Sequence, residues 1–274
     1  MNEIPSPTDT AATPKGPMAQ TADWVSCGWQ RVQQQKPLWF GTTAVYFILA
    51  FLLKLIPFMG NLVLVLITPM LLGGFLLAVR APATPTALHA GFPALFRIYL
   101  VEPGRALFQI FSNAEKIFPA TLLCIITLGL VLLVISVGYL AVGGSMISGL
   151  TATDLQTTKT PLLLGMLVMS VLHLMLAMGL LYSVPLTLLD NRLPLDAITE
   201  SFTTCARNAL SLACLGIVFF LPYVLIVMAF NHNHWLGYLL LLSLGFVTVP
   251  VFVASVYGSY LTFYSASSST STTP

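Results

Sequence analysis

Apolar and polar residues follow one another along this chain in long blocks. Six apolar stretches, Leu38–Phe58, Leu62–Val79, Phe118–Val142, Pro161–Val184, Ala209–Phe230 and Leu236–Tyr264, are separated by polar or mixed connections. A bilayer core of about 30 Å needs about 20 helical residues at 1.5 Å each, and each stretch is long enough to span. The runs are apolar all round, as a helix bathed in lipid is, and lack the strict alternation of barrel strands. The pattern predicts an all-α, polytopic transmembrane helical bundle of six spans. The second span is the shortest; the sixth is the longest and is expected to tilt or to extend past the bilayer. Residues 1–23, rich in Pro, Thr, Ser and Ala, read as a disordered arm without the features of a cleavable signal peptide. Residues 265–274, SASSSTSTTP, read as a disordered polar tail, leaving 24–264 as the six-helix domain.

Composition sharpens this picture. Of 274 residues, 57% are hydrophobic and 7% charged, against about 25% charged in a soluble domain. That excludes a soluble enzyme, a disordered chain and a secreted disulfide scaffold. A net charge of +2 is too small for a phosphate-tracking surface, so no nucleic-acid partner is expected. Cys27, Cys124, Cys205 and Cys214 show neither CxxC nor other ligand spacing and read as structural thiols. No cofactor and no metal are expected.

Lys and Arg set the expected orientation. Lys15, Arg31 and Lys36 precede the first span; Arg80, Arg97, Arg105 and Lys116 fall in the 80–117 connection; Arg192 and Arg207 fall in the 185–208 connection. Only Lys54 and Lys159 lie on the other side. Nine against two places both termini in the cytoplasm. On the outer side, IPFMGN and NHNHW are expected to be tight turns, and 143–160 a longer Gly, Ser and Thr-rich loop.

The inner connections are longer and amphipathic. In 194–207, Leu195, Ile198, Phe202 and Cys205 form an apolar stripe opposite Asp196, Glu200, Thr203 and Arg207. This predicts a cytoplasmic amphipathic helix at the membrane interface or against the bundle. In 23–36, Asp23 is an expected N-cap and Val25, Trp29 and Val32 share a face; Trp24, Trp29 and Trp39 are expected at headgroup depth. The third segment, 88–117, is interrupted by Pro93 and Pro103-Gly104. Because each segment precedes a helical hairpin, three repeated units of roughly 24–79, 88–185 and 194–264 are one reading. The other is that amphipathic inner loops are simply common in multi-pass proteins.

The stretches WVSCGWQRVQQQKPLWF, IPFMGN and PLTLLDNRLPLDAITESFTTCARNALSL resemble a family of uncharacterised bacterial multi-pass inner-membrane proteins. They resemble more loosely the membrane domain attached to some glycerophosphodiester phosphodiesterases. The resemblance covers roughly 24–264. It implies a helical fold and an inner-membrane location, and it supplies no catalytic or binding residues.

Candidate chemistry is sparse. His173 falls near the centre of the fourth span, where an ionisable group is either a proton relay or substrate contact, or a neutral imidazole bonded inside the bundle to a Ser or Thr. Asp190, Asn191, Arg192, Asp196 and Glu200 form the densest polar cluster; paired carboxylates suit acid–base work or a divalent ion, and equally a solvated helix face. His232 and His234 supply two imidazoles, too few to complete a metal site. Ala254-x3-Gly258 and Ser255-x3-Ser259 invite close approach of another helix. Pro69, Pro185, Pro222 and Pro250 are expected kinks, whose freed carbonyls would suit an ion or solute site. No Walker, Rossmann, HExxH or GxSxG motif occurs. Two classes follow. The first is a non-catalytic membrane protein that organises lipids or membrane or cytoplasmic protein partners through its inner amphipathic segments. The second is a small-solute or ion permease using kinked helices and His173.

Overall fold

A computed structural model describes residues 16–57, 59–80, 95–150 and 155–268. Residues 1–15 of the expected arm, 88–94 with Pro93, 151–154 of the outer loop and 269–274 of the tail lie outside the described residues. In chain order the helices are α1 (Pro17–Gln34), α2 (Lys36–Lys54), α3 (Met59–Arg80), α4 (Glu102–Phe108), α5 (Ala114–Leu150), α6 (Leu155–Leu180), α7 (Ser183–Leu188), α8 (Pro194–Arg207), α9 (Ala209–His232) and α10 (His234–Ser268). A π-helical turn, Arg97–Val101, leads into α4, and a 3₁₀ turn, Gln109–Ser112, leaves it. No strand occurs among the described residues.

Among the described residues, six segments are long and apolar enough to cross a bilayer: Lys36–Lys54, Met59–Arg80, Ala114–Leu140, Leu163–Leu188, Ala209–His232 and His234–Tyr264. The chain is therefore an all-α, multi-pass membrane protein, as the apolar blocks predicted. Pro69, Pro119, Pro222 and Pro250 sit inside continuous helices. Pro185 does not: α6 ends at Leu180 and α7 restarts at Ser183. Proline lacks the N–H that would bond the Leu181 carbonyl, and its ring clashes with that carbonyl.

The chain divides into two compact units, one formed by the described residues of 1–52, 74–109 and 207–274, the other by those of 53–73 and 110–206. These units cut across the three repeats considered above; the boundary after Gln109 falls within 88–185.

In the first unit, α1 packs along α10 and against the start of α9. Thr21, Trp24, Gly28 and Val32 recur at spacings of three, four and four, and all are buried. The Trp24 ring meets Phe263 edge-on at 5.4 Å, and its Nε1–H donates to Thr262 Oγ1 at 3.3 Å. A Cβ on Gly28 would come within 2.6 Å of Ser255 Oγ, so only glycine allows this approach. The small residues of α10 thus receive α1, and Ala254, Ser255 and Ser259 are buried there. Thr21 Oγ1 donates to the Ser211 carbonyl at 2.8 Å. The Arg31 guanidinium lies 5.4 Å above the Tyr257 ring, a cation–π contact worth about 0.5–2 kcal/mol.

Several expectations change. Helix α1 begins at Pro17, inside the stretch read as a disordered arm, because Pro17 suits the first turn and Thr21 gains a tertiary partner. The inward face is Trp24–Gly28–Val32, with Trp29 43% exposed and Val25 half-buried. Trp24 and Trp39 are core residues and not headgroup anchors; Trp39 meets Phe75 edge-on at 4.6 Å. Helix α5 runs on to Leu150 and α10 to Ser268, which shortens the outer loop and the tail.

In the second unit α5 and α6 pair along their length, and α7 is buried at all six positions. The inward face of α8 is Pro194, Ala197, Ser201 and Cys205. Of the stripe expected there, Cys205 is buried, Ile198 and Phe202 are half-buried, and Leu195 is 65% exposed. The stripe is rotated because small residues permit a closer approach than the branched ones.

Replacing a buried aromatic with alanine typically costs about 3–5 kcal/mol. Trp24→Ala is therefore expected to lower the melting temperature in detergent and to open the bond after Arg31 to trypsin. An unchanged melting curve with Arg31 still protected would show that α1 is not held by this packing.

Candidate functional site

The predicted polar cluster forms one corner of the second unit, and the break at Pro185 builds it. Breaking the helix frees the Met178 carbonyl and the Tyr182 N–H. Both are taken up by one buried hydroxyl: Tyr182 N–H donates to Ser201 Oγ at 3.0 Å, and Ser201 Oγ–H donates to the Met178 carbonyl at 2.7 Å. Ser201 is fully buried, and the break is closed by protein. Sequence reading passed over Ser201; the signal was the small-residue stripe Ala197–Ser201–Cys205 at helical spacing.

Beyond α7 the chain turns sharply. Asn191 adopts φ 56°, a left-handed conformation that asparagine tolerates. The Arg192 N–H then bonds the Leu186 carbonyl at 3.2 Å. Asp196 falls in the first turn of α8 and Arg207 in the last, each matched to the helix dipole. Arg192 pairs with Glu200, their side chains 45% and 27% exposed, and such a pair contributes about 0.2–1 kcal/mol. Lys116, at the start of α5, donates to Asn191 Oδ1. Asp190 and Asp196 are exposed.

The corner thus brings Arg192 and Glu200 into contact and leaves Asp190 and Asp196 facing out. Among the described residues no group of three or more His, Cys, Asp and Glu is placed to hold a metal ion. His173 stands on an exposed face of α6, and its Nδ1–H donates to the Met169 carbonyl of its own helix at 2.8 Å. It has neither the inward orientation nor the Ser or Thr partner considered for it. His232 and His234 flank the one-residue turn at Asn233, whose Oδ1 accepts the Trp235 N–H at 2.9 Å.

The first unit holds a feature that the sequence did not reveal, an open groove of about 500 Å³. Its lining comes from Phe40, Gly41 and Ala44 of α2, Phe246 of α10, and Phe96, Tyr99 and Leu100 before α4. Pro103 explains the π-helical wall: its ring cannot pack on the Tyr99 carbonyl in α geometry, so the turn widens and Glu102 N–H bonds the Arg97 carbonyl. The Tyr99 carbonyl and the Pro103 ring then occupy the space where a side chain on residue 41 would stand, so Gly41 fixes this wall against α2.

No family model, curated protein or solved structure matches the chain.

Burial pushes the Cys205 thiol up from 9.0 to about 11, partly offset by a hydrogen bond with Ser201. Cys205 is therefore expected to resist maleimide at pH 8 in the folded protein while half-buried Cys27 reacts. Both should react in SDS. A raised thiol pKa favours the folded state below pH 9, and that contribution fades as pH rises from 9 towards 11. Ser201→Ala is expected to cost about 1–3 kcal/mol of stability by orphaning two backbone groups. An unaltered melting temperature would mean that the break does not depend on this hydroxyl.

Proposed function

We propose that this chain is a non-catalytic, multi-pass protein of a bacterial inner membrane, with both termini in the cytoplasm. In this reading it organises lipids or partner proteins through its cytoplasmic side and uses no cofactor. The supporting observation is where its polar side chains lie. Asp190 and Arg192, in the turn between α7 and α8, and Asp196, in the first turn of α8, are exposed, and Glu200 further along α8 is half-buried. The distribution of Lys and Arg supports a cytoplasmic position for this corner.

The apolar faces of α1 and α8 are used in internal packing, which leaves their outer faces for contacts. Beside the charged corner, Leu193 and Leu195 are 70% and 65% exposed. Apolar side chains rimmed by charge suit a protein or headgroup contact.

The permease reading has less support. His173 bonds its own helix from an exposed face, and Ser201 caps the Met178 carbonyl and the Tyr182 N–H at the helix break. Neither is arranged to bind an ion or solute.

A photo-crosslinker at Leu195 in intact cells is expected to trap a discrete partner, lost on Glu200→Arg, whereas one at Leu164 yields only lipid adducts. Equal adduct patterns from the two positions would count against the reading, as would reporter fusions placing the C-terminus outside. His173→Phe is expected to leave the folded yield unchanged. A collapse in yield would give the imidazole a role absent from this proposal.

A further inference from the structure

We propose that the groove of the first unit holds one acyl chain of an anionic phospholipid from the cytoplasmic leaflet. This rests on the membrane placement proposed above and adds a ligand class and a site to it.

Two walls of the groove, Phe40 with Ala44 and Phe246, belong to membrane-spanning helices α2 and α10. In a bilayer its mouth therefore meets hydrocarbon. The lining side chains are hydrocarbon apart from the Tyr99 hydroxyl. A peptide segment would carry backbone N–H and C=O groups into this lining without partners, at several kcal/mol for each group. An acyl chain brings none. The groove volume of about 500 Å³ lies within the ~300–1,000 Å³ of small-molecule sites.

The groove is also built rather than incidental. Phe40 and Phe246 stack at 5.5 Å with their planes 22° apart, and Gly41 fixes the Tyr99–Pro103 segment against α2. π-helical turns such as Arg97–Val101 often mark functional sites.

Charge gives the groove a direction. Lys36, Phe40 and Ala44 follow at intervals of four and share one face of α2. Lys36 is exposed at the end of that stripe. On the facing wall Arg97 directly follows Phe96 and is exposed, with Glu102 at 3.1 Å. Apolar walls ending in the exposed Lys36 ammonium, with the Glu102-paired Arg97 on the facing wall, match an amphiphile with a negative headgroup, since an exposed cation near an anionic leaflet gains about 1 kcal/mol.

The test reconstitutes the full chain in vesicles of phosphatidylethanolamine and phosphatidylglycerol. A trace of the phosphatidylglycerol carries a photoactivatable diazirine in its acyl chain. Adducts are expected to concentrate on residues 40–44 and 96–100. Ala44→Trp, which fills the groove, should reduce them about tenfold, equivalent to about 1.4 kcal/mol, while labelling of the exposed α6 face around Leu164 and Leu174 stays constant. Lys36→Gln, at an exposed position that folding does not need, should reduce groove labelling severalfold. So should moving the diazirine to phosphatidylcholine.

Labelling spread evenly over the groove and α6 would overturn the proposal. So would indifference to Ala44→Trp in a variant that melts normally, equal labelling by both lipids, or a groove occupied by a second copy or another segment of the chain. Reporter fusions at the termini in intact cells separate the two failures. Wrong sidedness sinks the placement, whereas even labelling with correct sidedness sinks the groove alone.

Discussion

Backbone amides in a hydrocarbon slab have no water to bond with, so every departure from α-helical geometry there must be satisfied by the protein itself. This constraint organises the most irregular part of the structure. Pro185 breaks the fourth span, and the cost is reduced because Ser201 reaches in from α8 to bond Met178 C=O and Tyr182 N–H, while Ser183 Oγ–H bonds the Leu180 carbonyl. The amphipathic helix α8 is therefore a structural strut of the second unit. Its burial of Ala197, Ser201 and Cys205 leaves Asp196 facing outward and sets Glu200 beside Arg192. The corner's surface chemistry thus follows from a hydroxyl placed where a backbone needs it.

A related accommodation appears in the first unit. Pro103 widens the preceding turn into π geometry, and Gly41 leaves room for the displaced Tyr99 carbonyl. Proline supplies the distortion and glycine the space, and the groove is what remains between them. Helix α1 uses a similar device, with Gly28 opposite Ser255 allowing contact close enough for the Trp24 indole to bond Thr262. Where no hydrophobic force drives helices together inside lipid, small residues and fitted hydrogen bonds take its place.

The six spans and the all-α class were legible in the sequence, because a run of about 20 apolar residues has one stable form in a bilayer. Small residues of the sixth span were legible as a contact, and Asp190–Glu200 as a polar cluster. The faces of the amphipathic segments were less so. Val25, Trp29 and Val32 read as one stripe, yet the buried face is Trp24, Gly28 and Val32; in α8, Leu195 points out and Ser201 in. Hydropathy scores carbon content, whereas packing in a crowded bundle selects shape, so serine and glycine displaced larger apolar residues at the contacts.

The sequence by itself determined that this chain belongs in a membrane, which segments are apolar enough to cross it, and where its scarce charges fall. These are one-dimensional properties, read from the transfer energy of each residue and its neighbours. Tertiary structure alone decided that Ser201 closes the Pro185 break, that Trp24 and Trp39 are core, that His173 bonds its own helix on an exposed face, and that Phe40 and Phe246 frame a groove. Each depends on residues far apart in the chain, or on which side of a helix meets a neighbour. An almost uniformly apolar helix carries no periodicity from which that side can be read.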